Sequence, residues 1–155
     1  MRRNDMSDLL KKIEDLKGNN HKAGYEIFKE LVYMSEKNNS VYQYMDMFIE
    51  MMNHPTNSFL RTKCLSLIAV NAKWDNQNKI NHIINDYLKH IEDEKPITAR
   101  QCIQNTVIIA KYKPELIDEI LLALENSHKE YQESMQNLIS KDKEKAIYMI
   151  RNKVF

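Results

Sequence analysis

The chain has 155 residues, 43% of them hydrophobic and 29% charged, with a formal net charge of +1. That length and balance fit one globular domain with a usable core, and the near-neutral charge excludes a global field drawing it to nucleic acid or membrane. Only two Gly and three Pro occur, too few for the tight turns of a β-rich fold, so the expected class is all-α.

No apolar run approaches the roughly 20 residues of a membrane span. The charged start, Met1 to Asp5, is not followed by the apolar core of a signal peptide. The expected compartment is therefore the cytoplasm. Cys64 and Cys102 have neither CxxC nor zinc-ligand spacing, which suits free buried thiols in a reducing environment.

In chain order, Met6, Leu9, Leu10, Ile13 and Leu16 form one helical stripe, with Gly18 as a C-cap signal. A second helix is expected from about Asn20 to Glu36 with Tyr25, Phe28, Leu31 and Val32 inward. Asn38-Asn39-Ser40 breaks the pattern, and Ser40 is placed to cap a third helix bearing Val41, Tyr44, Met45, Phe48, Met51 and Met52. That helix should end before Pro55, because a residue preceding Pro disfavours the α conformation.

A fourth helix runs from about Asn57 to Lys73. The fifth has the cleanest apolar period: Ile80, Ile83, Ile84, Tyr87, Leu88 and Ile91. Pro96 and Pro114 each stand where a helix can begin, since a first-turn residue needs no N–H. The first opens a helix to about Lys111, the second one with Ile117, Ile120, Leu121 and Leu124 inward. A shorter helix is expected over about Tyr131 to Ile139. Ser140 is then read as the cap of a last helix with Ala146, Ile147, Ile150 and Val154.

These helices repeat in pairs. Cys64-Leu65 followed by Ala72-Lys73-Trp74 matches Cys102-Ile103 followed by Ala110-Lys111-Tyr112 at an offset of 38 residues, and Phe59 maps onto Ile97. A shift of 36 carries Phe28, Leu31 and Val32 onto Cys64, Leu67 and Ile68, and Tyr44, Phe48 and Met52 onto Ile80, Ile84 and Leu88. Such a period with two helices per unit is the signature of an α-solenoid, in which stacking buries faces that one pair leaves open. The expected architecture is a right-handed solenoid of about four helix pairs. It forms a single domain over 1–155, with repeats near 5–36, 40–73, 77–111 and 114–140 and a cap helix over 142–154.

The segment Asp93-Glu94-Lys95-Pro96-Ile97-Thr98-Ala99-Arg100 resembles the turn of HEAT/armadillo-type repeats. Such repeats carry an Asp between paired helices and a basic residue early in the second. Asp93 and Arg100 match that structural turn pair in this unit, whereas the turn before Arg61 offers Asn53 and Asn57 and no acid. The chain is also similar to small bacterial HEAT-like proteins sometimes labelled SufBD, an iron–sulfur assembly term, but it has no cluster-ligand pattern.

The resemblance implies that the second helix of each pair lines a concave face. A helical wheel puts Cys102, Thr106, Ile109 and Ala110 inward and Gln101, Gln104, Ile108 and Lys111 outward. One repeat earlier the outward set is Lys63, Ser66, Val70 and Lys73. These eight form a polar stripe with one aliphatic per repeat, suited to a peptide or partner helix, or an ordinary solvated face. Lys73, Lys111 and Lys141 form either a basic ladder for phosphates or charges that offset helix C-terminal dipoles. Arg61 and Asn71 fall on the buried side of the wheel. Arg61 either snorkels from the first turn or aligns with Arg100.

Met45, Met47, Met51 and Met52 read as an adaptable surface, or, for at least Met45, Met51 and Met52, as core. None of His21, His54, His82, His90 and His128 has metal-ligand spacing. There is no Gly-rich phosphate loop and no nucleophile elbow. Neither cysteine has a basic partner in the pattern, so both read as small core hydrophobes. The expectation is a non-catalytic module without metal or cofactor that binds a protein or peptide. The alternatives are a nucleic-acid-binding or DNA-repair-type HEAT protein, to which the near-neutral charge is ill suited, and a subunit of a homo-oligomer.

Overall fold

A computed structural model describes residues 3–155, with side chains from residue 8 onward; Met6, expected on the first stripe, has its side chain outside the described set. Among the described residues the chain is helical throughout with no strand, and it divides into two compact units, Met1–Trp74 and Asp75–Phe155. The division falls between the second and third expected repeats. No helix of the described residues is long and apolar enough to cross a membrane.

The first unit holds α1 (Arg3–Asp15), α2 (His21–Lys37), α3 (Met45–Met51) and α4 (Ser58–Val70). A 3-10 turn, Val41–Tyr44, leads into α3, and another, Ala72–Trp74, follows α4. α4 packs on α2 and α3, and α1 packs on α2. Leu9, Ile13, Leu31, Val41, Met45, Phe48, Met52, Leu60, Cys64, Leu65, Leu67 and Ile68 are fully or almost fully buried. Met45, Met51 and Met52 are buried, as a core reading expects, and Met47 is half-buried.

α1 ends without a left-handed glycine. Leu16, Lys17 and Gly18 donate to carbonyls three residues back, and no Gly has positive φ; the last turn tightens to 3-10 geometry instead. On α2 the buried positions are Gly24, Leu31 and Ser35, and Tyr25, expected inward, is exposed. The seam follows the helical period through small residues that a count of apolar side chains passes over.

Ser40 does not cap. Its backbone N–H donates to Asn38 Oδ1 at 2.9 Å, and its own Oγ is buried without a partner. The α3–α4 turn is built from His54, whose Nδ1 accepts the N–H groups of Thr56 and Asn57 at 3.2 and 3.0 Å. Asn57 then caps α4 by accepting from Leu60 N at 3.1 Å, worth about 1 kcal/mol. Arg61 is buried and donates to His54 O at 3.1 Å, so it closes this turn from inside the first turn of α4.

The carbonyls left open at the end of α2 find donors near the end of α4. Trp74 Nε1 donates to Ser35 O at 2.7 Å and Lys73 Nζ to Glu36 O at 2.9 Å. Buried Asn71 donates to Ser35 Oγ at 3.0 Å and to Leu67 O at 2.9 Å.

The second unit holds α5 (Lys79–Leu88), α6 (Pro96–Tyr112), α7 (Ile117–Asn126) and α8 (Glu133–Arg151). 3-10 turns at Lys89–Glu92 and Pro114–Leu116 follow α5 and precede α7. Pro96 and Pro114 both stand in the first turn of the element they open. α6 is the central helix, packed on α8, α7 and both 3-10 turns. Its inward set, Cys102, Thr106, Ile109 and Ala110, is buried as the wheel predicts.

The last two expected helices are one. α8 runs unbroken through Ser140, with Ile139, Ala146 and Ile150 buried on a single stripe, while Val154 is exposed beyond its end. Ser140 stays inside the helix, and Gln136 Nε2 donates to its Oγ at 3.3 Å.

Asp75 and Lys113 tie the second unit together. The Asp75 carboxylate accepts from Lys79 N at 3.0 Å and Ile80 N at 2.9 Å, holding the first turn of α5. Lys113 Nζ reaches it at 3.1 Å, with both side chains almost wholly buried. The same ammonium donates to Asp75 O at 2.7 Å and Asn78 Oδ1 at 2.9 Å. Asn78 has φ of 55°, a left-handed conformation that Asn tolerates.

Candidate partner-binding groove

The eight stripe residues do not share one environment. In the first unit Lys63 is buried, contrary to the expectation that it points outward. Its ammonium lies over the Phe59 ring, one turn earlier on α4, at 5.7 Å. Lys73 is committed to the end of α2 through Glu36 O, the role expected of a lysine that offsets a helix C-terminus. Ser66 and Val70 are half-buried.

In the second unit Gln101 is half-buried, its Nε2 donating to Asn105 Oδ1 at 3.1 Å along α6. Lys111 is exposed near the end of α6, its ammonium over the Tyr112 ring at 5.1 Å. Gln104 and Ile108 are exposed, and these two line a groove between α6 and α8.

The groove has a volume of about 280 Å³. Val107 and Ile108 come from α6, Ala146 and Met149 from α8; Gln104, Asp142 and Lys145 add polar groups. Ile108 keeps 37% of its surface in water, so a ligand atom can reach it without any helix moving. Arg100 sits one turn before Gln104. Its Nε donates to Asp142 Oδ2 at 2.7 Å, joining the two helices beside the groove. Arg100, expected to pair with Asp93 in the turn, is thus engaged by Asp142. Asp93 bonds His90 Nδ1 at 3.0 Å and accepts from Lys95 N at 2.9 Å, fixing the turn before α6 from its own side.

The α8 residues of this groove fall in the segment expected as a cap helix, 142–154, and lie outside the expected stripe. The spacing of Ile139, Ala146 and Ile150, seven and then four residues apart, is the signal that α8 is one continuous helix.

A second depression, of about 380 Å³, lies between α5 with its 3-10 turn and α7. Leu88, Ile91, Leu122 and Ala123 line it together with Glu92 and Glu119. Glu92 is partly occupied, accepting the N–H groups of His128 and Lys129 at 3.3 and 3.0 Å.

Both cysteines have no exposed surface. Burial pushes the Cys64 thiol up to about 12, against the Lys63 and Lys17 charges. Burial, and then the Asp93 charge, also raise Cys102, whose Sγ contacts Tyr87 O at 3.6 Å. A thiol held protonated and out of solvent is a poor nucleophile.

Searches with the chain match no protein-family model, no curated protein and no solved structure.

Proposed function

We propose that the protein is a non-catalytic binding module built of HEAT-like helix pairs. Its α6–α8 groove takes the apolar face of a peptide or partner helix. The observation that carries this reading is the groove itself: an apolar lining reachable from solvent, with charged and amide groups around it. A volume of 280 Å³ suits one or two side chains, below the usual range for a cofactor or drug-sized ligand. That is the geometry of helix-in-groove recognition through anchors three or four residues apart. Each fully buried aliphatic anchor supplies about 1.5–3 kcal/mol, so two anchors give weak, reversible binding once association costs are subtracted.

The helix-pair repeat is supported within each unit by hydrogen bonds between elements one period apart. Trp74 and Asn71 bond Ser35 across 39 and 36 residues. Lys113 bonds Asp75 across 38 residues, and Tyr131 bonds Asp93 across 38. These lie within one residue of the 36–38-residue sequence period.

Selection of peptides from a library of amphipathic helices on the full chain tests the binding reading. Binders should lose at least about tenfold in affinity on Ile108→Glu or Met149→Glu, the loss of one buried anchor. Both residues retain solvent exposure, so circular dichroism should show both variants folded. Binders indifferent to both substitutions would overturn the reading.

A further inference from the structure

Lys63 holds a charge in an unusual setting. Only 9% of the residue is exposed, yet its ammonium has no hydrogen bond and no carboxylate within ion-pair distance among the described residues. A buried ammonium normally has a hydrogen-bonded partner, because desolvation is otherwise uncompensated. Here the Phe59 ring at 5.7 Å supplies a cation–π contact, which replaces only part of the lost hydration. The amine is not sealed in, since Lys63 Nζ is not among the fully enclosed atoms that lack a partner.

The surroundings favour one kind of ligand. Gly24 of α2 lies beside the amine, and a Cβ there would stand 3.8 Å from Nζ and 4.0 Å from Cε. The lysine stem therefore runs against bare helix backbone. The His21 ring, at the start of α2, stacks on Phe59 with centroids 4.3 Å apart. Phe59 is 56% exposed, and His21 is exposed as well. A lone open cation with exposed rings beside it suits a single negative charge carried next to an apolar or aromatic group. A phosphate dianion asks for more cations or a guanidinium fork than this cluster provides.

We infer that Lys63, Gly24, His21 and Phe59 form a carboxylate-binding site: the ammonium bonds the carboxylate, and the exposed rings cover its aryl or alkyl neighbour. The site lies wholly in the first unit and is independent of the α6–α8 groove, so either stands if the other fails. Burial lowers the pKa of Lys63, and a bound carboxylate would raise it.

The test is an NMR titration of the full chain with 3-phenylpropionate, its neutral amide 3-phenylpropanamide, and phenyl phosphate. The inference expects saturable shifts at the Gly24 amide and the Phe59 ring with 3-phenylpropionate. It expects binding at least about tenfold weaker with the amide, the loss of a charge-assisted hydrogen bond. Lys63→Met keeps the stem and removes a desolvated charge, so it should fold and lose the same factor. The inference is overturned if shifts do not saturate, if Lys63→Met binds equally well, or if the amide matches the acid. Tighter binding of phenyl phosphate than of 3-phenylpropionate would refute the carboxylate assignment.

Discussion

Lys113→Met probes the buried ion pair that joins the end of α6 to the start of α5. The substitution removes three contacts of one ammonium: Asp75 O at 2.7 Å, Asn78 Oδ1 at 2.9 Å and Asp75 Oδ2 at 3.1 Å. It leaves the Asp75 carboxylate buried. Breaking one side of a buried pair costs about 3–5 kcal/mol. Two amide N–H groups, from Lys79 and Ile80, still hold the Asp75 anion, and the α5 dipole favours it. The expected loss therefore sits at the low end, about 3 kcal/mol. With a urea slope of about 1–3 kcal/mol/M, the unfolding midpoint by circular dichroism should fall by about 1–3 M. The loss should change little between low salt and 1 M NaCl, because a buried pair is weakly screened. Combined with Asp75→Asn, the two losses should add to less than their sum, with a coupling of about 1–3 kcal/mol. A midpoint drop under about 0.3 M, or strict additivity, would refute the assignment of Lys113 to this role.

Asn57→Ala removes the side-chain cap of α4 and should cost about 1 kcal/mol, read as a lower urea midpoint with an unchanged slope. Arg100→Ala and Asp142→Ala should each cost under about 1 kcal/mol, with a coupling that shrinks at 1 M NaCl, because the Arg100 side chain is 31% exposed. The cysteines should not react with a thiol reagent at pH 8 in the native state, and both should react in urea. The Cys64 thiol ionises near 9.0 when unfolded and about 12 when folded. The folded state thus holds its proton longer, and stability falls as pH rises through that window, by up to about 1.4 kcal/mol per pH unit. Cys64→Ala should flatten this loss, measured as urea midpoints from pH 8 upward.

The helix starts at Pro96 and Pro114 and the core faces of α5 and α6 were legible because local chemistry and apolar period agree there. Elsewhere the two signals conflict. Ser140 has a capping residue type, but the stripe of Ile139, Ala146 and Ile150 runs through it, and packing of that stripe decides the outcome. On α2 the seam passes through Gly24 and Ser35, so a search for large apolar residues rotates the helix toward Tyr25. Half of the groove was visible as Gln104 and Ile108. The other half, on α8, lies in the segment read as a cap helix, and no local signal shows that it packs on α6. The buried charges Lys63, Asp75 and Lys113 have the same residue types as surface charges, and only their tertiary neighbours distinguish them.

Chemical-shift mapping on the isotopically labelled full chain, titrated with a library-selected amphipathic peptide, tests the proposed function most directly. The account predicts saturable shifts concentrated at Gln104, Val107, Ile108, Ala146 and Met149, the residues facing the α6–α8 groove. Saturable shifts confined to other surfaces, with those five residues unmoved, would contradict it.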